Sequence, residues 1–531
     1  MRRQTLTALP TSNRPQWPLT NGREHNNQWL RIGGLLVILL TILAHARGLQ
    51  GQFLEWDDYS HITHNLAIRS LSPTNLWKMF TEPAAKLYVP LTWVSLAIDY
   101  QVWGHNPFGY HLTNLVLHVA NTMLVLLLAF QLLRGRFEGA HTAAILTAAI
   151  FGVHPLRVES VAWVTERKDL LFALFYLLAM LVYLRWVVRG NRRDYWGCLL
   201  LFVCSALAKS TAVTFPLVLV LLDVFWKRRE AVWEKIPFFG VSLIIGAATF
   251  VAQASGPGET VLGTEAIPLW ARLGLVGYCT LFHVGKFFWP LHLSAVYPSF
   301  EDFGWTPLQA VGYLLVFFVL LAAAFTLRKR APIILPSWLF YLITLSPTIG
   351  LIPVGVHVVA DRFTYVPLIG LALPLSVGIV TLANNRRRAQ SIIAVTVGTL
   401  LVALAILSAK RSTVWTNTET LFHNALAEDP NCYPALVNLT TYYTSTKQLD
   451  EAIAYGTRAV AVAPNGLVGR KSLASALVQA KRYREAIKAL QPAIDHGIDD
   501  HAVWRTLNEC FTALGDEKNA KLAETRMLRS M

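Results

Sequence analysis

Charge is what this 531-residue chain has least of: Asp, Glu, Lys and Arg together make up 15%, where a soluble chain carries roughly 25%. With 54% hydrophobic residues and a mean hydropathy of +0.42, that scarcity excludes a cytosolic globular enzyme and a disordered polymer alike. Cysteine is scarce too. Cys198, Cys204, Cys279, Cys432 and Cys510 show no CxxC or metal-ligand spacing, so there is no disulfide framework and no redox motif. No Gly-rich phosphate loop is present, so the sequence offers no nucleotide-binding motif. A single basic face is missing as well. The formal charge of +15 (47 − 32) is dispersed in short clusters between apolar runs, which argues against nucleic acid as a partner.

What the chain has instead is lipid-compatible length. Apolar runs fall at 32–44, 112–133, 142–158, 169–188, 195–209, 211–226, 236–254, 307–327, 333–352, 363–383 and 391–409, most of them near the span of a hydrocarbon core. The stretch 268–290 is apolar but carries Gly, His283, Lys286 and Pro290, and is expected to be re-entrant or interfacial. The clusters Arg134/Arg136, Arg189/Arg192/Arg193, Lys227/Arg228/Arg229, Arg328/Lys329/Arg330 and Arg386/Arg387/Arg388 have the look of cytoplasmic loops. Keeping them all inside gives about eleven crossings, with a cytoplasmic N-terminus and residues 1–29 as a disordered tail. It places the first loop (50–110), the 154–168 turn, the 353–362 turn and the C-terminal region together outside.

From about 413 the long apolar runs stop and a 34-residue period begins. Ala452, Ala486 and Ala520 are evenly spaced, as are the pairs Pro430-Asn431 and Pro464-Asn465. That is the period of tetratricopeptide helical hairpins, and it predicts a short α-solenoid over 413–531 that could hold an extended polypeptide or dock a partner. The whole chain is therefore expected to be all-α: a multi-span domain over 30–412 followed by this array.

Ionisable residues gather on the predicted outer side. Asp57 and Asp58 follow the first span, and His61 and His64 come just after. The pair suits a general base, with Asp58 favoured; an N-cap for the following helix is the competing reading. A divalent metal is allowed by residue type, but a third fixed ligand is lacking, so none is assigned and no cofactor is implied. A second group, His154, Glu159, Glu166, Arg167, Lys168 and Asp169, bridges two apolar runs. Charges there must face a cavity, a partner or the interface. His357, Asp361 and Arg362 precede a later run, and Lys209 stands alone between two more. Arg167, Lys168, Lys209 and Arg362 run against the charge rule, and together they point to a lipid phosphate held at the outer surface. Mutual ion pairing of these groups is the alternative.

The segments WDDYSHITHN (56–65), YHLTNLVLH (110–118), HPLRVESVAWVTERKDLL (154–171), AKSTAVTFP (208–216) and ADRFTYVPLIG (360–370), followed by 34-residue repeats, resemble the transmembrane-and-tetratricopeptide-repeat protein O-mannosyltransferases and their bacterial relatives. The resemblance covers roughly 50–531, with fewer repeats than the animal members. It implies a GT-C membrane domain in a bacterial inner membrane with periplasmic repeats, a polyprenyl-phosphate sugar donor and protein Ser/Thr hydroxyls as acceptors. By motif, Asp57-Asp58 match the family's acidic catalytic pair, and His154, Glu159, Arg167 and Asp169 match a second conserved-type segment. A glycan- or lipid-modifying transferase and a non-catalytic membrane scaffold are the alternative functions.

Overall fold

In lipid a backbone must satisfy its own hydrogen bonds, and a chain without barrel-type alternation does so as helices. The computed structural model describes residues 25–82, 87–225, 228, 232–254, 268–297, 306–349, 358–497 and 499–530, and contains no β-strand among them. Each of the eleven apolar runs carries a helix. Among the described residues six helices are long and apolar enough to cross a membrane: Gln28–Gln50, Pro107–Leu133, Val164–Arg189, Trp233–Ala252, Pro307–Leu327 and Gln390–Trp415. A bent pair, Ala140–Val153 and Pro155–Ala162, makes a seventh if read as one span. Shorter apolar helices include Ser210–Phe225 and Ile369–Asn385. The 268–290 stretch, expected to be re-entrant or interfacial, forms one continuous 20-residue helix, Leu269–Phe288. Its Gly residues and Lys286 do not interrupt it, because neither removes a backbone donor as Pro290 does.

The chain forms two units. The first comprises residues up to 52, 57–291 and 297–415. Its core is built around the Arg167–Arg189 helix, whose Tyr176, Leu177, Met180 and Tyr183 are buried among Phe202, Phe215 and Leu219 of neighbouring helices. The far end of that helix is tied by charge. Tyr183 donates to Asp223 at 2.5 Å, Asp223 pairs with buried Lys235, and Arg228 pairs with Glu234 at 2.9 Å while lying over Trp186. Close helix approach recurs. A Cβ at Gly152 would collide with Thr41 Oγ1 and with Thr122, and the freed Gly152 carbonyl accepts from both His45 and His118 at 3.1 Å.

The second unit comprises 53–56, 292–296 and 416–531. It holds Thr418–Glu428 and three helical hairpins: Tyr433–Ser445 with Leu449–Val462, Leu467–Gln479 with Tyr483–Asp495, and His501–Ala513 with Glu517–Arg529. The 34-residue period reappears in the hairpin turns. Lys447, Lys481 and Gly515 each take positive φ, and the next N–H closes back on the helix, as in Gln448 to Tyr443 at 2.9 Å, Arg482 to Leu477 at 2.8 Å and Asp516 to Phe511 at 2.9 Å. This is one C-cap motif used three times. Ala452 and Ala486 are fully buried where helices meet. Within this unit Glu55 accepts from the Ser445 hydroxyl at 3.1 Å, and Trp56 stacks edge-on against Phe422.

Candidate functional site

The site is assembled by a sharp fold-back over 154–169, all of it buried. Pro155 lacks an N–H and disfavours helix in the residue before it, so the Ala140–Val153 helix stops and the chain bends by 58°. His154 braces that bend. Its Nε2 donates to the Phe287 carbonyl at 2.9 Å and its Nδ1 accepts from Leu156 N at 3.2 Å, so both ring nitrogens are used structurally. A second break at Trp163 leads into the Val164–Glu166 turn and then the Arg167–Arg189 helix.

Asp58 is fully buried. It makes no side-chain cap to the helix that follows it; its Oδ1 accepts from Thr165 N at 3.0 Å and from the Thr165 hydroxyl. The carboxylate therefore caps a turn more than a hundred residues away, at a backbone donor that would otherwise be unpaired. Asp57 is half-buried and acts electrostatically on Lys168 and His61. Burial, reinforced by the Lys168 charge, lowers the His61 pKa to about 4 against the opposing pull of Asp57 and Glu166. His61 faces Trp93 and is neutral, whereas His64 is exposed and stacks on Tyr59.

Four cations were expected to converge on a phosphate; the structure divides them. The Arg167 guanidinium is completely enclosed, pairing with Asp99 at 2.6 Å and donating to Asn114, to Ser95 at 3.1 Å and to the Tyr110 carbonyl at 2.8 Å. With its donors spent on these partners, Arg167 is a tie between helices and presents nothing to a ligand. Lys168, Lys209 and Arg362 do come together, each retaining about a tenth of its side chain exposed. Lys168 lies 3.0 Å from Glu166 Oε1, Lys209 lies 3.8 Å from Glu166 Oε2, and Arg362 Nε lies 3.4 Å from Glu166 Oε1. Lys209 also pairs with Asp169, which accepts from Ser160, and Arg362 with Glu159. Burial alone would lower the Arg362 pKa, but the Glu159 and Glu166 carboxylates outweigh it and raise it.

The Asp361–Thr364 turn that carries Arg362 is held from beneath. Glu159 accepts from Arg362 N at 2.9 Å, and buried Arg157 donates to the Thr364 and Tyr365 carbonyls at 3.0 and 2.7 Å. Tyr365 in turn donates to His118 Nδ1 at 2.8 Å. Asp361 accepts from the Tyr297 hydroxyl at 2.7 Å, and burial pushes its carboxyl up against the pull of Arg411. Among the described residues neither Asp361 nor His154 forms an ion pair with Lys168, Lys209 or Arg362. His357 lies outside the described residues. Among the described residues no three His, Cys, Asp or Glu side chains are grouped to hold a metal ion. Asn114, Asp99, Thr165 and Arg157 are the network members that sequence reasoning did not single out; Glu166 was placed in the second ionisable group but given no role. For Glu166 the signal was present, since it adjoins Arg167 and Lys168.

The arrangement thus gathers Lys168, Lys209 and Arg362 around Glu166, with the half-buried Asp57 acting on Lys168. No family model matches the chain. It is 25% identical over 478 residues to the mouse protein O-mannosyl-transferase TMTC4, covering 78% of this chain and 63% of that protein. It is 24% identical over 551 residues to Drosophila melanogaster Tmtc3, covering 85% and 58%, and 36% identical over 192 residues to Drosophila Tmtc1, covering 35% and 21%. The chain thus spans less than two thirds of the length of these relatives. Among solved structures, the crystal structure of ArnT from Cupriavidus metallidurans bound to undecaprenyl phosphate aligns over 78% of this chain and 80% of that one, at 12% identity and a TM-score of 0.35, a likeness too loose to build on. By sequence, the chain is a relative of the transmembrane-and-tetratricopeptide-repeat protein O-mannosyl-transferases.

Proposed function

We propose that this protein is a GT-C-type membrane glycosyltransferase that moves a sugar, mannose by kinship, from a polyprenyl-phosphate donor to Ser or Thr hydroxyls of exported proteins. The observation that carries the proposal is the convergence of Lys168, Lys209 and Arg362, from three separate segments, beside the half-buried Asp57. In this reading the membrane domain crosses a bacterial inner membrane about eleven times, the N-terminus is cytoplasmic, and a periplasmic tetratricopeptide array offers a surface to the polypeptide acceptor. The prenyl tail stays in lipid and its phosphate meets the three cations at the outer interface.

The acceptor hydroxyl oxygen attacks the anomeric carbon, and the bond from that carbon to the phosphate oxygen breaks with its electron pair leaving on the phosphate. Asp57 takes the hydroxyl proton as general base. Lys168, Lys209 and Arg362 stabilise the charge that grows on the departing polyprenyl phosphate. Asp57 is the better base of the pair, because the Asp58 carboxylate is already engaged by Thr165. Asp58 and Arg167 hold the fold-back in place. Glu159 and Asp169 orient Arg362 and Lys209, and His154 and Asp361 brace the flanking turns.

The test is sugar transfer from polyprenyl-phosphate mannose to a Ser/Thr peptide by the full chain in proteoliposomes. Asp57→Asn is expected to lower kcat by about 10²-fold or more with little change in donor KM, whereas Lys168→Ala is expected to raise donor KM. Full activity in Asp57→Asn would remove the base assignment.

A further inference from the structure

Within the cationic cluster the acids are not equivalent. Arg362 keeps Glu159 and Lys209 keeps Asp169 as ion-pair partners of their own. Lys168 has Glu166, and Glu166 also reaches the other two cations at 3.4 and 3.8 Å. It is the carboxylate on which all three converge. Glu166 is 1% exposed; its carboxyl lies beside that of Asp169, and its Oε2 has the Lys209 ammonium no nearer than 3.8 Å, although a buried carboxylate oxygen ordinarily finds a close donor. A carboxylate and a phosphate present similar oxygen acceptors to ammonium and guanidinium donors.

Resting on the phosphate-site reading above, we propose that Glu166 is a built-in stand-in for the donor phosphate. In the free protein it supplies the negative charge that, with Glu159 and Asp169, balances the three buried cations, and an incoming phosphate takes over its contacts. The charges explain why this arrangement suits a transferase. A sugar phosphodiester carries one negative charge, the same as the carboxylate it displaces. The phosphomonoester left after transfer gains a second charge as its second proton, with a pKa near 6, dissociates. The Glu166 carboxylate, displaced from the cations but still held close by the chain, repels that doubly charged phosphate more than the singly charged donor, so Glu166 favours binding of the donor over retention of the spent lipid.

Farnesyl phosphate, a short prenyl phosphomonoester, probes this directly, with farnesol as the uncharged control. Binding to the purified full chain in detergent is measured by calorimetry. Glu166→Gln removes the charge at constant shape and is expected to bind farnesyl phosphate about tenfold more tightly than the native chain, with farnesol unchanged. Glu166→Asp draws the carboxylate back by one methylene and is expected to tighten binding by a smaller factor. A gain in affinity on deletion is not what damage to a merely structural residue produces. If both variants bind no tighter than the native chain while Lys168→Ala weakens binding, Glu166 is not a stand-in and the phosphate site survives. If the native chain does not distinguish farnesyl phosphate from farnesol, the phosphate site and this role for Glu166 fall together.

Discussion

His61 shows how a single side chain in this site reports on its surroundings. An unfolded histidine titrates near 6.5, whereas burial and Lys168 bring folded His61 to about 4. Between those values the unfolded chain binds a proton that the folded chain refuses. The stability involving His61 is therefore whole above about pH 6.5 and declines as pH falls towards 4, by about 3 kcal/mol in total. Thermal unfolding of the native chain and of His61→Asn, compared between about pH 7 and pH 4, should show a shallower decline in the variant; parallel curves would contradict the buried, neutral assignment. At this scale the sequence told only part of the story. The residue types around the site were legible because charges beside apolar runs demand explanation. Whether a given cation is spent or available was not. Arg167 and Lys168 are neighbours in sequence, yet Arg167 is consumed by Asp99, Asn114, Ser95 and Tyr110 while Lys168 is not. Asp58 likewise pairs with Thr165 rather than with the helix it precedes. Those partners are set by long-range packing, which no local spacing encodes.

At the scale of elements, local rules regain their hold. The helices under the apolar runs and the 34-residue period follow from short-range chemistry and were legible; the Pro155 break follows from it too, but the 142–158 run was read straight through it. The repeated turn carries a testable defect. Gly515 takes positive φ without a Cβ penalty, but Lys447 and Lys481 occupy the same position with side chains, at a cost of roughly 1 kcal/mol each. Lys481→Gly is expected to stabilise the second unit by about 0.5–1 kcal/mol, seen as later melting of its hydrogen-exchange-protected amides in the full chain. Unchanged or earlier melting would mean that the Lys481 side chain makes a compensating contact. The 268–290 helix shows the opposite limit. Its polar residues suggested interruption, whereas a helix tolerates Gly and Lys so long as its backbone bonds persist.

For the whole molecule, composition identified a lipid-solvated helical protein but not how many helices cross the bilayer. Length and apolarity alone qualify six helices, or seven with the bent pair, while about eleven crossings are needed to keep every basic cluster inside. A reporter active only in the periplasm, fused after Ser412, is expected to be active; a signal confined to the cytoplasm would overturn the topology and move the repeats to the other side. One further property follows from the Arg167–Arg189 helix. It is pinned at both ends, through Arg167 to Asp99 at one and through Tyr183, Asp223 and Lys235 at the other. Sliding it by one turn, about 5.4 Å, would unmake both sets of bonds at once. It is a strut, not a piston: in the proposed reaction, donor and acceptor come to a fixed post.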